Sequence, residues 1–137
     1  MSWQAKEVPL DYLHRVWPEI EHYIQNSVEH SDGDVSLDET KIYVMQGTWV
    51  LIVAVDENNK IYGAATVTFY NRTNHRVAFV TNIGGKMLAN LDTFSQFCDI
   101  LRSHGATCIE GSVRDSLMRL WARLGARKKA NSIQIPL

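Results

Sequence analysis

The sequence predicts an α/β (α+β) domain, in which a mixed, mostly antiparallel β-sheet is flanked by helices on both faces. Three observations carry this. Between residues 49 and 83 three β-branched runs follow one another across short polar turns, the pattern of hairpin-linked antiparallel strands. Apolar residues at steps of three and four bracket this block, over 10–28 and 91–101, as the buried stripe of a helix does. The second helical stretch runs directly into another short apolar run at 107–113. A strand-helix-strand unit over 77–113 requires a crossover, which makes its two strands parallel or nearly so.

Taken in order, residues 2–8 read as a short edge strand that Pro9 ends. Leu10, Leu13, Val16, Trp17, Ile20, Tyr23, Ile24 and Val28 mark one helical face. Pro18 cannot donate to the preceding turn, so two helices or one kinked helix are expected over roughly 10–29. A polar loop follows at 30–34, and Ser36 with Glu39 has capping-box spacing for a new helix. Ile42, Val44 and Met45 are expected to face inward there, with Gly47 closing the helix. The continuous apolar run 49–55 suits a strand buried on both faces. A turn at 56–60 joins it to a strand over 61–70, and a turn at 71–75 leads to a third strand over 77–83 that ends at Gly84 and Gly85. Leu91, Phe94, Phe97, Cys98 and Leu101 then share a helical face that Gly105 terminates. After the strand at 107–113, Leu117, Leu120, Trp121 and Leu124 outline another helix stopped by Gly125, and 132–137 alternates as a final strand.

The 137 residues suit one domain, 1–137. A formal net charge of −1 supplies no field that would argue for nucleic acid or membrane binding. The basic residues Arg114, Arg119, Arg123, Arg127, Lys128 and Lys129 at the C-terminal end read as a solvated face. The N-terminus lacks a signal-peptide pattern, and the longest apolar run is far short of the ~20 residues of a membrane span, so a cytoplasmic protein is expected. Cys98 and Cys108 are too few for a disulfide scaffold and read as buried reduced thiols. His14, His22 and His30 recur every eight residues, a drift of about 80° around a helix, so they do not converge and no metal site is expected.

The element order resembles the GNAT (Gcn5-related N-acetyltransferase) superfamily along nearly the whole chain. The resemblance rests on the turn Ile83, Gly84, Gly85, Lys86, Met87 opening a helix. It rests also on Ser103, His104, Gly105, Ala106 running from that helix into a strand, and on the helix of 115–124 before Gly125 and Ala126. The segment 80–86 is similar to short GNAT-like proteins of tailed bacteriophages. Backbone N–H groups at a helix start bind anions, and glycines let a phosphate approach closely. The resemblance implies that acetyl-CoA is the cofactor, held around Asn82, Ile83, Gly84, Gly85, Lys86, Met87 and Leu88. A backbone N–H near Asn82 or Ile83 would polarise the thioester, and Lys86 would meet a phosphate. It also implies an amine acceptor, small molecule or protein, with a carboxylate at Asp38 or Glu39 as base, in an acidic stretch that includes Asp32 and Asp34. The chain departs from the family pattern where the loop glycines would fall at Leu88 and Asn90 and where the usual tyrosine is Trp121. Tyr62 or Tyr70 could supply the missing acid, and His75 an alternative base. The competing expectation is a catalytically inactive GNAT-fold module, a phage structural (virion) or host-interaction protein, placed in the host cytoplasm or in the virion. Edge strands at both ends would permit a dimer without requiring one.

Overall fold

A computed structural model describes residues 3–29, 36–87, 90–112, 122–123, 125, 127–129 and 132–137. The elements are β1 (Gln4–Glu7), α1 (Leu13–Glu29), α2 (Leu37–Met45), β2 (Val50–Val55), β3 (Ile61–Asn71), β4 (Arg76–Gly85), α3 (Leu91–Ser103), β5 (Cys108–Ser112), β6 (Arg127–Lys129) and β7 (Ser132–Pro136). They form one seven-stranded sheet in the order β1-β2-β3-β4-β5-β7-β6. Among the paired strands only β4 and β5 run parallel, and α3 is the crossover that joins them. The mixed, mostly antiparallel sheet expected from the sequence is therefore the one observed.

Helices cover both faces. On one face Leu13, Trp17, Ile20 and Ile24 of α1 are buried with Val44 of α2 against Leu51, Val53, Val55 and Ala64. On the other, Phe94, Phe97, Cys98 and Leu101 of α3 pack on Ile52, Ala54, Ala65, Val67, Ala78, Val80, Ile109 and Ile133. The apolar run of β2 is continuous because alternate residues feed the two cores. Each fully buried Leu or Ile contributes roughly 1.5–3 kcal/mol. The outward N–H of Ala5 on edge strand β1 donates to Gln96 Oε1 of α3 at 2.9 Å, so the helix covers part of that edge.

Several local expectations are corrected. Of the two alternatives at Pro18, one helix and not two is observed, α1 running through the proline after a 3-10 turn at Leu10–Tyr12. The proline is exposed, so water can serve the His14 carbonyl that loses its helical donor. Ile42 faces outward, 53% exposed, while Thr40 and Val44 are the buried residues of α2. Positions 40 and 44 are one turn apart on a face that excludes 42. Strand β6 is a strand where the sequence suggested only a basic tail. The helix of 115–124 lies almost wholly outside the described residues, which retain helix at 122–123. Gly47 takes φ +79° just past α2, as expected of its closing residue.

Candidate functional site

The parallel ladder between β4 and β5 runs from Val77/Cys108 to Val80/Gly111 and stops there, while β4 continues to Gly85. At this point β4 carries a bulge. Thr66 of β3 faces Asn82 and Val67 faces Val80, leaving Thr81 as the extra residue. A bulge bends its strand and increases the local twist, so β4 changes character beyond Val80.

Polar side chains collect at the bulge on the α1/α2 face. Thr66 Oγ1 and Thr81 Oγ1 share a hydrogen bond of 2.6 Å, and Asn82 Nδ2 donates to Thr66 Oγ1 at 3.0 Å and to Thr40 Oγ1 at 3.5 Å. Thr40 and Thr66 are fully buried and Asn82 nearly so. Both amide hydrogens of Asn82 are thereby used, and no described residue donates to its Oδ1.

The backbone here follows from the register. Lys86 N donates to Tyr62 O at 2.8 Å, and bonded pairs alternate in an antiparallel ladder. Ile83 and Gly85, lying between bonded pairs, therefore turn their N–H groups away from β3. Among the described residues the ladder with β5 has already ended, so Ile83 N–H is claimed by no described residue of either strand. It donates instead to Ser27 Oγ of α1 at 3.3 Å.

The residues singled out from sequence are distributed as follows. Gly84 and Gly85 do not form a turn that opens α3. They are the last residues of β4, and residues 86–90 intervene before Leu91. Gly84 is required by packing, since a Cβ there would come within 2.4 Å of Tyr23 O of α1. Gly85 has φ +70°, and its Cβ would meet Tyr62 O at 2.5 Å, so it is required by both conformation and space. Lys86 is exposed, with Nζ 5.9 Å from the centre of the Trp3 ring. Met87 is fully buried in the α3-side core, and Leu88 lies outside the described residues.

The start of α3 is capped from within. Asn90 Oδ1 accepts from Asp92 N at 2.8 Å and Thr93 N at 3.3 Å, and Asp92 adds a negative charge to the first turn. Those amides are the donors an anion would use.

Asp38 and Glu39 begin α2. Glu39 completes a capping box, its N donating to Ser36 Oγ at 3.1 Å and its Oε1 accepting from Ser36 N at 3.4 Å. Asp38 is exposed and lies two residues from Thr40, about 200° around the helix, hence away from Asn82. The fold brings neither carboxylate to the bulge. Asp32 and Asp34 lie outside the described residues.

Tyr62 OH donates to Asp56 Oδ2 at 3.2 Å. Burial first and then the Asp56 carboxylate push this phenol above its ordinary range. Tyr70 lies opposite Val77, remote from the bulge. Its phenol is likewise pushed up, by burial first and then by Glu110, with Arg72 opposing. His75 shares a hydrogen bond with Thr107 Oγ1 at 3.0 Å. Burial raises the Cys98 thiol, which keeps it protonated and unreactive.

The sequence reading missed two groups. Glu110 on β5 is buried, paired with Arg72 Nη1 just past β3 at 2.6 Å and accepting a hydrogen bond from Gln134 Nε2 of β7 at 2.9 Å. Its signal was a lone acid in the short apolar strand 107–113. Ser27 was passed over because helical periodicity says nothing of a serine beside the apolar stripe.

Comparison with protein-family models and with curated proteins finds no match. Solved structures do match. The NatC complex bound to Gag peptide and CoA aligns over 100% of this chain and 99% of its own, with a TM-score of 0.70 and 13% identity. The PaiA N-acetyltransferase from Thermoplasma acidophilum in complex with coenzyme A aligns over 100% of both chains, with a TM-score of 0.62 and 8% identity. A Trypanosoma brucei acetyltransferase aligns over 93% of this chain and 94% of its own, with a TM-score of 0.57 and 13% identity. The chain thus shares the GNAT fold of these acetyltransferases. Identities of this size establish the fold and leave the activity to be argued from the site.

Proposed function

We propose that this protein is an acetyl-CoA-dependent N-acetyltransferase acting on an amine. The observation that carries this reading is the Ile83 N–H, turned away from β3 at the point where β5 has left the ladder. A donor so placed can hold an acyl carbonyl oxygen and stabilise the charge that grows on it. Acetyl-CoA would supply the activated acetyl group. Ile83 N–H would hold the acyl oxygen. Asn82, fixed by Thr40 and Thr66, would offer Oδ1 as an acceptor to the incoming N–H. Lys86 would answer the negative charge of the phosphates. Neither Asp38 nor Glu39 is favourably placed as a base, and the phenols of Tyr62 and Tyr70 are engaged with carboxylates.

One observation favours a second reading, a non-catalytic module of the same fold such as a phage virion or host-interaction protein. The first amides of α3 are already held by Asn90, and Asp92 would repel a pyrophosphate. Calorimetric titration of acetyl-CoA decides between the two. The acetyltransferase reading expects saturable micromolar binding, weakened about tenfold or less by Lys86→Glu, together with a rise in melting temperature. No heat at millimolar ligand contradicts it and leaves the module. Gly85→Glu is unsuitable as a control, because the backbone at that position excludes any side chain.

A further inference from the structure

Tyr23 O of α1 rests on Gly84, and one helical turn later Ser27 reaches the next backbone donor of β4. Ile83 N–H cannot bond to β3, whose bonded pairs fall at 62/86 and, two residues on each time, at 64/84 and 66/82. Among the described residues the ladder of β5 with β4 ends at Gly111, and none of them on β5 accepts from Ile83 N–H. Left unpaired in a half-buried segment it would carry a desolvation cost, and Ser27 Oγ satisfies it from the side of α1. The bond is long, 3.3 Å, and its acceptor is a neutral hydroxyl on a single rotatable bond. Such an oxygen is easily displaced.

We propose that Ser27 is a specificity-setting residue whose hydroxyl oxygen stands in for an acyl oxygen at Ile83 N–H and competes with it. This rests on the acyl-CoA reading of the same strand edge. A resting thioester carbonyl, also neutral, gains little by replacing the hydroxyl. An oxygen that acquires negative charge as an amine adds to the carbonyl is a stronger acceptor, since charge-assisted hydrogen bonds are about twice as strong as neutral ones. The hydroxyl must be displaced at the same cost in the ground state and in the transition state, so the competition lowers the affinity for a neutral acyl oxygen, and the oxygen that gains charge overcomes it more readily. Free CoA has no acyl oxygen, so its affinity is independent of Ser27.

The test compares acetyl-CoA and CoA by calorimetry on the full chain and on Ser27→Ala and Ser27→Thr. Removing the hydroxyl is expected to tighten acetyl-CoA by about 2- to 10-fold, the worth of one net hydrogen bond, with CoA unchanged. Threonine, which keeps the oxygen, retains the native ratio of the two affinities and guards against a folding defect in the alanine variant. The proposal is overturned if both ligands bind and the ratio is unchanged in Ser27→Ala, or if both tighten equally, which would indicate a packing effect of α1. Those outcomes leave the acyl-CoA reading intact. If neither ligand binds any of the three proteins, that reading fails and the role of Ser27 falls with it.

Discussion

Strand β4 is two different strands on either side of its bulge. From Val77 to Val80 it is paired with β3 on one side and β5 on the other, and Val77, Ala78 and Val80 are buried. From Thr81 to Gly85 it is paired, among the described residues, on one side only, its side chains are polar or absent but for Ile83, and α1 lies directly against its backbone. The first half behaves as core, where a change of volume is felt through packing. The second half is held by hydrogen bonds and by closeness to a helix, and it leaves a backbone donor for a partner outside the sheet. One inserted residue separates a structural segment from the one we propose as the binding edge.

The sharpest way to break the comparison is Gly84→Ala. The added Cβ would come within 2.4 Å of the Tyr23 carbonyl oxygen, and backbone cannot give way as a side-chain tip does. A loss of about 3 kcal/mol is expected, at the upper end of ordinary overpacking costs, read as a shifted denaturation midpoint. A midpoint unchanged within error would mean that α1 does not pack tightly on this half of β4.

A smaller effect tests whether the α2 carboxylates are structural. Ser36→Ala removes the capping acceptor and should cost about 1 kcal/mol. Glu39→Gln keeps a side-chain oxygen for the box and should leave both stability and acetyl transfer within about twofold. A loss of more than tenfold in turnover with stability intact would return Glu39 to the role of base.

Much of this fold was legible in the sequence because its signals are local. The capping box at Ser36 and Glu39, the two-core run of β2 and the three-four stripes of α1 and α3 each rest on residues close in the chain. Pro18 left one helix or two open, since the cost of a proline depends on whether its position is exposed or within a packed turn, which one sequence does not tell. The site was less legible. Gly84 and Gly85 mark the strand end in the sequence, but a glycine required by a neighbouring helix looks there like one required by a phosphate. The bulge at Thr81, which turns Ile83 N–H toward Ser27, is a matter of register between strands and leaves no mark in one strand alone.

The central claim is that the half of β4 beyond the bulge is a binding edge, and amide chemical shifts recorded during an acetyl-CoA titration test it most directly. Binding at this edge predicts saturable shifts concentrated at Thr81, Asn82, Ile83 and Gly85, with Val77 and Ala78 unmoved. Shifts confined to other strands, or none at saturating ligand, would contradict it.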